Sequence, residues 1–170
     1  AIVERRYLGE KLEAGRVFAL SKQIGIQARY LAPGLHFTLW PIINVVSKPT
    51  FLSIAADELG IVEATDGAAL PAGRIFADDL AGPSHNNFQD PVGFLVRGGI
   101  RGKQLRFLTN GTFKIHPYMF KVTKIKKTLI REGCIGVITA MDGAPLEPGQ
   151  LLGRSTDGHA NFQDRKSTRL

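Results

Sequence analysis

Two stretches constrain this chain more than any other feature: His85-Asn86-Asn87-Phe88-Gln89-Asp90 and His159-Ala160-Asn161-Phe162-Gln163-Asp164. A His, an amide, a Phe, a Gln and a carboxylate in fixed order resemble a reactive constellation. A pattern that returns in the same order is equally the mark of a repeated structural unit, and repeats are located before any motif is read as a site.

The rest of the chain repeats with it. Asp66-Gly67-Ala68-Ala69-Leu70-Pro71-Ala72-Gly73 is answered by Asp142-Gly143-Ala144-Pro145-Leu146-Glu147-Pro148-Gly149, and Gly9-Glu10-Lys11-Leu12-Glu13-Ala14-Gly15 carries the theme earlier. Gln27-Ala28-Arg29-Tyr30-Leu31-Ala32-Pro33-Gly34 is echoed by Gln104-Leu105-Arg106-Phe107-Leu108-Thr109-Asn110-Gly111, and Pro41 by Pro117. The sequence therefore divides into a first unit at 1–60, a second at 61–136 and a truncated third at 137–164. Residues 78–100, which carry the HxNFQD motif, form an insertion that the first unit lacks.

The local chemistry is that of short strands and tight turns. Nineteen Gly and nine Pro are spread along the 170 residues, so they mark turns and not one low-complexity linker. Ala32-Pro33-Gly34-Leu35 suits a type II turn. Asn110-Gly111 predicts a hairpin between Gln104–Leu108 and Thr112–Ile115. Two further strand pairs are expected: Pro49–Ile54 with Leu59–Ala64, and Thr128–Ile130 with Ile135–Ala140. Runs rich in Val, Ile, Phe, Tyr and Thr support this reading. One short helix is expected after the motif, with Asp90 as N-cap, Pro91 in the first turn and Gly98-Gly99 as the stop. The fold class is thus mainly β (α+β): small tandem β-rich units with short hairpins and one docked helix per full unit.

On that reading the motif is structural. Asp90 is a cap, Phe88 is an anchor, and Asn86, Asn87 and Gln89 bond local backbone; Asn161, Phe162, Gln163 and Asp164 repeat the same structural motif. A metal-dependent hydrolase using His85 and Asp90 stays as a minor alternative, because no third ligand recurs with them. His36 and His116 occupy different places in the repeat and read as satisfied structural histidines. No nucleophile elbow, HExxH or phosphate loop is present. No catalytic residue, metal or cofactor is assigned.

Charge raises a second alternative. The formal net charge is +7, with Lys114, Lys121, Lys124, Lys126, Lys127 and Arg131 clustered. Lys121, Lys124, Lys126 and Lys127 could face an anionic surface. With Phe113, Tyr118 and Phe120 nearby they could also stack nucleic-acid bases. A solvated strand face is the plainer reading, and no nucleic-acid partner is expected. Cys134 is the one cysteine, which excludes an internal disulfide, and its Cys-Ile-Gly-Val-Ile setting reads as a buried strand. The most apolar run, residues 37–46, is too short to span a bilayer and carries Pro41 and Asn44, so the fragment itself reads as soluble. After Asp164 the pattern stops, and Arg165-Lys166-Ser167-Thr168-Arg169-Leu170 is expected to be a non-native tail.

Taken together, Ala14-Gly15-Arg16, Leu31-Ala32-Pro33-Gly34-Leu35-His36-Phe37, Trp40-Pro41, Leu70-Pro71-Ala72-Gly73-Arg74, Asn87-Phe88-Gln89-Asp90 and the return at Gly136–Gly149 and Asn161–Asp164 resemble the N-terminal tandem segment of long SPFH (band 7) proteins. These are stomatin-, prohibitin- and flotillin-type membrane scaffolds. The resemblance implies a bacterial-type flotillin-like protein that is non-catalytic and homo-oligomeric, and that organises membrane microdomains. It implies a membrane anchor before Ala1 and a coiled coil after Asp164, both outside this segment. Phe88, Phe94, Trp40 and the cluster near Lys124 are candidate subunit contacts, although the three aromatics read first as core.

Overall fold

The computed structural model describes residues 1–37, 39–77, 85–137 and 148–151. In chain order the elements are β1 (Ile2–Arg5), β2 (Gly25–Tyr30), β3 (Asn44–Ser47), β4 (Leu52–Ile54), β5 (Glu58–Ala64), β6 (Phe76–Ala77), α1 (Pro91–Val96), β7 (Gly102–Leu108), β8 (Gly111–Phe113) and β9 (Phe120–Lys126). The architecture is mainly β, in three small sheets with very little helix. The first sheet runs β2-β1-β3, the second pairs β4 with β8, and the third runs β6-β7-β5-β9. All pairings are antiparallel except β6 with β7.

The expected hairpins do not form. β4 and β5 follow one another yet lie in different sheets, as do β7 and β8 across Asn110-Gly111. A strand has two hydrogen-bonding edges. Those of β5 are taken by β7 and β9, and those of β7 by β5 and β6, so β4 and β8 are left to pair with each other. Glu58 N–H donates to Ala55 O at 3.1 Å, a turn that redirects the chain between β4 and β5. The third expected pair is described only in part. Residues 128–137 hold no strand, and 138–140 lie outside the described residues.

One apolar core joins the sheets. Phe18 and Ala28 come from the N-terminal part, Ile54, Val62 and Leu108 from the two later sheets, and Phe88, Phe94 and Phe120 form an aromatic centre. Phe94 and Phe88 meet Phe120 edge-on at centroid distances of 5.1 and 5.3 Å, the preferred geometry for such rings. Phe88 and Phe94 are therefore core. Trp40 is 65% exposed, which corrects its core assignment. The expected boundary at 60 and 61 falls inside β5, and the core draws on both sides of it. Gly60 lies at this crossing of strands, where an added Cβ would meet Ile54, Val122 and Leu108.

The helix forms where the sequence places it. Asp90 Oδ1 accepts the Gly93 N–H at 3.1 Å, and Pro91 opens the first turn. At the other end Gly98 N–H reaches Leu95 O and Gly99 N–H reaches Phe94 O, with Gly98 at φ +83°. This pair of reversed bonds satisfies the last carbonyls. An alanine at Gly99 would run into the Phe94 ring. At six residues α1 is too short to persist alone, and burial of Pro91, Phe94 and Leu95 holds it. Asp90→Ala is expected to lower unfolding stability by about 1 kcal/mol, read by thermal or urea melting.

Candidate functional site

The HNNFQD stretch folds as a left-handed turn. Asn86, Asn87 and Phe88 have φ of +47°, +50° and +61°. Asn tolerates this region; Phe does so at a cost of roughly 1–2 kcal/mol, which its burial offsets. His85 is buried, stacks on the Phe88 ring at 4.3 Å, and its Nδ1 accepts the Phe88 N–H at 2.8 Å. Asp90 N–H closes the turn on His85 O, and Gln89 N–H on Asn86 O.

Four of the five polar side chains of the motif, those of His85, Asn87, Gln89 and Asp90, have a structural partner. Asn87 Oδ1 accepts from Arg106 Nη1 at 3.4 Å. Gln89 Nε2 donates to Asn86 O, while its Oε1 accepts the Lys114 N–H at 3.0 Å. Asp90 caps α1. His85 and Asp90 thus act on backbone groups of one turn, and among the described residues no cluster of three metal-ligating side chains is found. The second copy, including Asn161, Phe162, Gln163 and Asp164, lies outside the described residues, as does the tail 165–170.

A second polar constellation joins the first sheet to the rest, and the sequence reading missed it. Asp66, which the sequence marks only as the start of a repeated stretch, is 1% exposed. Its Oδ2 accepts both the Val17 N–H at 2.9 Å and the Phe18 N–H at 2.8 Å, and its Oδ1 accepts the Gly67 N–H. Gly67 needs φ +136° here, and a Cβ would strike the Gly99 carbonyl. The Asp-Gly pair was the legible signal; the pair of distant amides it would hold was not.

His116 is the other member. It is buried, with Phe18 edge-on at 5.2 Å and Tyr30 at 5.7 Å. Its Nε2 lies 3.3 Å from Gln27 O, while its Nδ1 accepts the Met119 N–H. That pattern requires a neutral ring with the proton on Nε2. Burial pushes its pKa down to about 4, against the opposing pull of the backbone bonds from Gln27 and its own main chain. Tyr30 donates its hydroxyl to Lys114 O at 3.0 Å, and the Lys114 ammonium sits 4.1 Å above its ring. Burial first, and the Asp90 carboxylate second, hold this phenol far above its usual range.

The basic strand is divided. Along β9, Lys121 alternates with Lys124 and Lys126, so the register puts them on opposite faces. Glu63 stands opposite Lys121 and Glu58 opposite Lys126. Lys127 donates to Ala56 O at 2.6 Å. β9 is a sheet edge, and charged side chains on an edge strand discourage unwanted pairing. His36 bonds Ala32 O at 2.8 Å, a structural role. Cys134 is exposed in a turn, not buried in a strand.

No family model, curated protein or solved structure matches this chain. Among the described residues no helix is long and apolar enough to cross a membrane.

Proposed function

We propose that this chain is a non-catalytic scaffold segment built of tandem β units, of the kind that flotillin-like SPFH (band 7) proteins carry, and that it works in a homo-oligomer held at a membrane by an anchor outside the segment. The observation that carries the tandem reading is a matched pair of glutamines. Gln27 Nε2 donates to Gln23 O and Gly25 O; Gln104 Nε2 donates to Ile100 O and Gly102 O. The two glycines take φ of +124° and +109°.

Other features recur in step. β1 lies between β2 and β3 as β5 lies between β7 and β9, with Arg5 opposite Gly25 and Asn44, and Ala64 opposite Gly102 and Phe120. Ala19 bridges Gln27 in parallel, as Ala77 bridges Gln104. The turn before β3 starts at Trp40-Pro41 and that before β9 at His116-Pro117, each with two amides returning to the first carbonyl. These matches favour units drawn as β1–β3 and β5–β9, with β4 as the connector.

The non-catalytic reading is supported by where the motif's polar atoms go: into capping, turn closure and inter-sheet bonds. At the surface, Phe37, Trp40 and Ile42 are exposed in one connection. Such faces suit lateral packing between subunits. The test is the product of the complete reading frame. It is expected to sediment with membranes and to run as a large assembly in detergent. A soluble monomer would remove the scaffold reading.

A further inference from the structure

Residues 128–137 form no strand, yet their local geometry copies 52–61. Cys134 N–H donates to Arg131 O at 3.1 Å, as Glu58 N–H donates to Ala55 O at 3.1 Å. A Cβ on Gly136 would collide with Ile130 Cδ1, as one on Gly60 would with Ile54 Cδ1. Thr128-Leu129-Ile130 begins eight residues after the first residue of β9 (120 to 128), as Leu52-Ser53-Ile54 begins eight after the first residue of β3 (44 to 52).

The two segments differ in what covers them. Ile54 pairs with Gly111 of β8 and is 2% exposed. Gly60 sits between β7 and β9, against Leu108 and Val122. Ile130 is 54% exposed and Val137 90% exposed. A turn that holds its close Ile–Gly contact without strand pairing among the described residues is already in its paired shape, so little ordering remains to be done when a partner arrives.

We propose that residues 128–137 are a preformed docking element for a strand set of the β7–β8–β9 type, supplied by a further unit of this same kind. The inference rests on the tandem-unit reading. The occupant's chemistry follows from what covers 52–61: a Gly-Thr-Phe strand that pairs antiparallel with 128–130, placing a glycine opposite Ile130, and two flanking strands offering Leu and Val to Gly136. Recognition is by main-chain bonding along the edge, with Ile130 as the anchoring side chain.

The experiment titrates a fluorescently labelled peptide of this protein's own residues 102–126 into the complete chain and follows anisotropy. Saturable binding is expected, together with slowed amide hydrogen exchange at 128–137. Ile130→Asp, or Ile130→Ser where Asp disturbs the fold, should weaken binding by at least about tenfold. Leu129→Asp should change it by less than about twofold, since the matching Ser53 side chain points outward. Absence of binding to the unmodified chain would overturn the proposal. So would binding that survives both Ile130 changes, because the peptide would then have displaced β7–β9 from residues 52–61. The scaffold reading is judged separately by membrane sedimentation of the complete gene product. A parent that fails there while its segment binds the peptide would lose the scaffold role and keep the docking element.

Discussion

Asp66→Ala lowers the unfolding free energy by about 4 kcal/mol, an effect beyond that of most single substitutions. The Val17 and Phe18 amides converge on a single oxygen of this carboxylate, Oδ2. Phe18 is buried, and water cannot replace the lost acceptor without opening the core. Each charge-assisted bond of this kind contributes roughly 1.5–3 kcal/mol, and an orphaned buried amide adds a cost of its own. Asp66→Asn should be milder, at about 1–2 kcal/mol, because one amide oxygen can still accept both donors while the Gly67 bond is lost. Urea unfolding of the two variants beside the parent checks the ranking. Equal losses would mean that the carboxylate acts through its charge and not through the shared oxygen. No loss in either would remove the clasp.

The second large effect is a dependence of stability on pH that comes from His116. In the folded chain its pKa is lowered to about 4 by burial, while an unfolded histidine titrates near about 6.5. Between those values the unfolded chain binds a proton that the folded chain does not, so stability falls as pH falls through this window. It is fully present above about 6.5 and fully lost below about 4, and the loss amounts to about 3 kcal/mol at most. Protonation would also place a second N–H against the Met119 amide and cancel the bond to Nδ1. Urea midpoints measured from pH 7 to pH 4 should therefore slope downward, and His116→Gln should flatten that slope while reducing stability at pH 7. A parent slope that His116→Gln leaves intact would assign the dependence to other groups.

The ends of α1 were legible because capping is local chemistry. Asp90, Pro91 and Gly98-Gly99 each act within a few residues of their own position. The burial of Phe88 was legible for a related reason: a large aromatic in an otherwise polar turn needs somewhere to go. Strand partners were not legible. Nothing in Leu52-Ser53-Ile54 says that it pairs with residues 111–113 and not with the strand that follows it, since that choice depends on which edges of β5 are already filled. Asn110-Gly111 misled for the same reason. The dipeptide reports a tight reversal, and here the reversal carries the chain from one sheet to another. Asp66 has one partner close by and two far away, and His116 has one of each. The near partner, Gly67 or Met119, was within reach of the sequence. The far ones, Val17, Phe18 and Gln27, come from a segment that only the fold brings close. Trp40 and Cys134 were misplaced because apolar character alone does not decide burial.

The clasp at Asp66 also sets an order of events during synthesis. The amides of Val17 and Phe18 precede their acceptor by 49 and 48 residues. While those intervening residues are being made, the N-terminal sheet can pair its own strands but cannot close its Phe18 corner. That corner can close only once the aspartate has been made. A chain assembled this way matures one step behind its own elongation, and each length of it is sealed by what comes after.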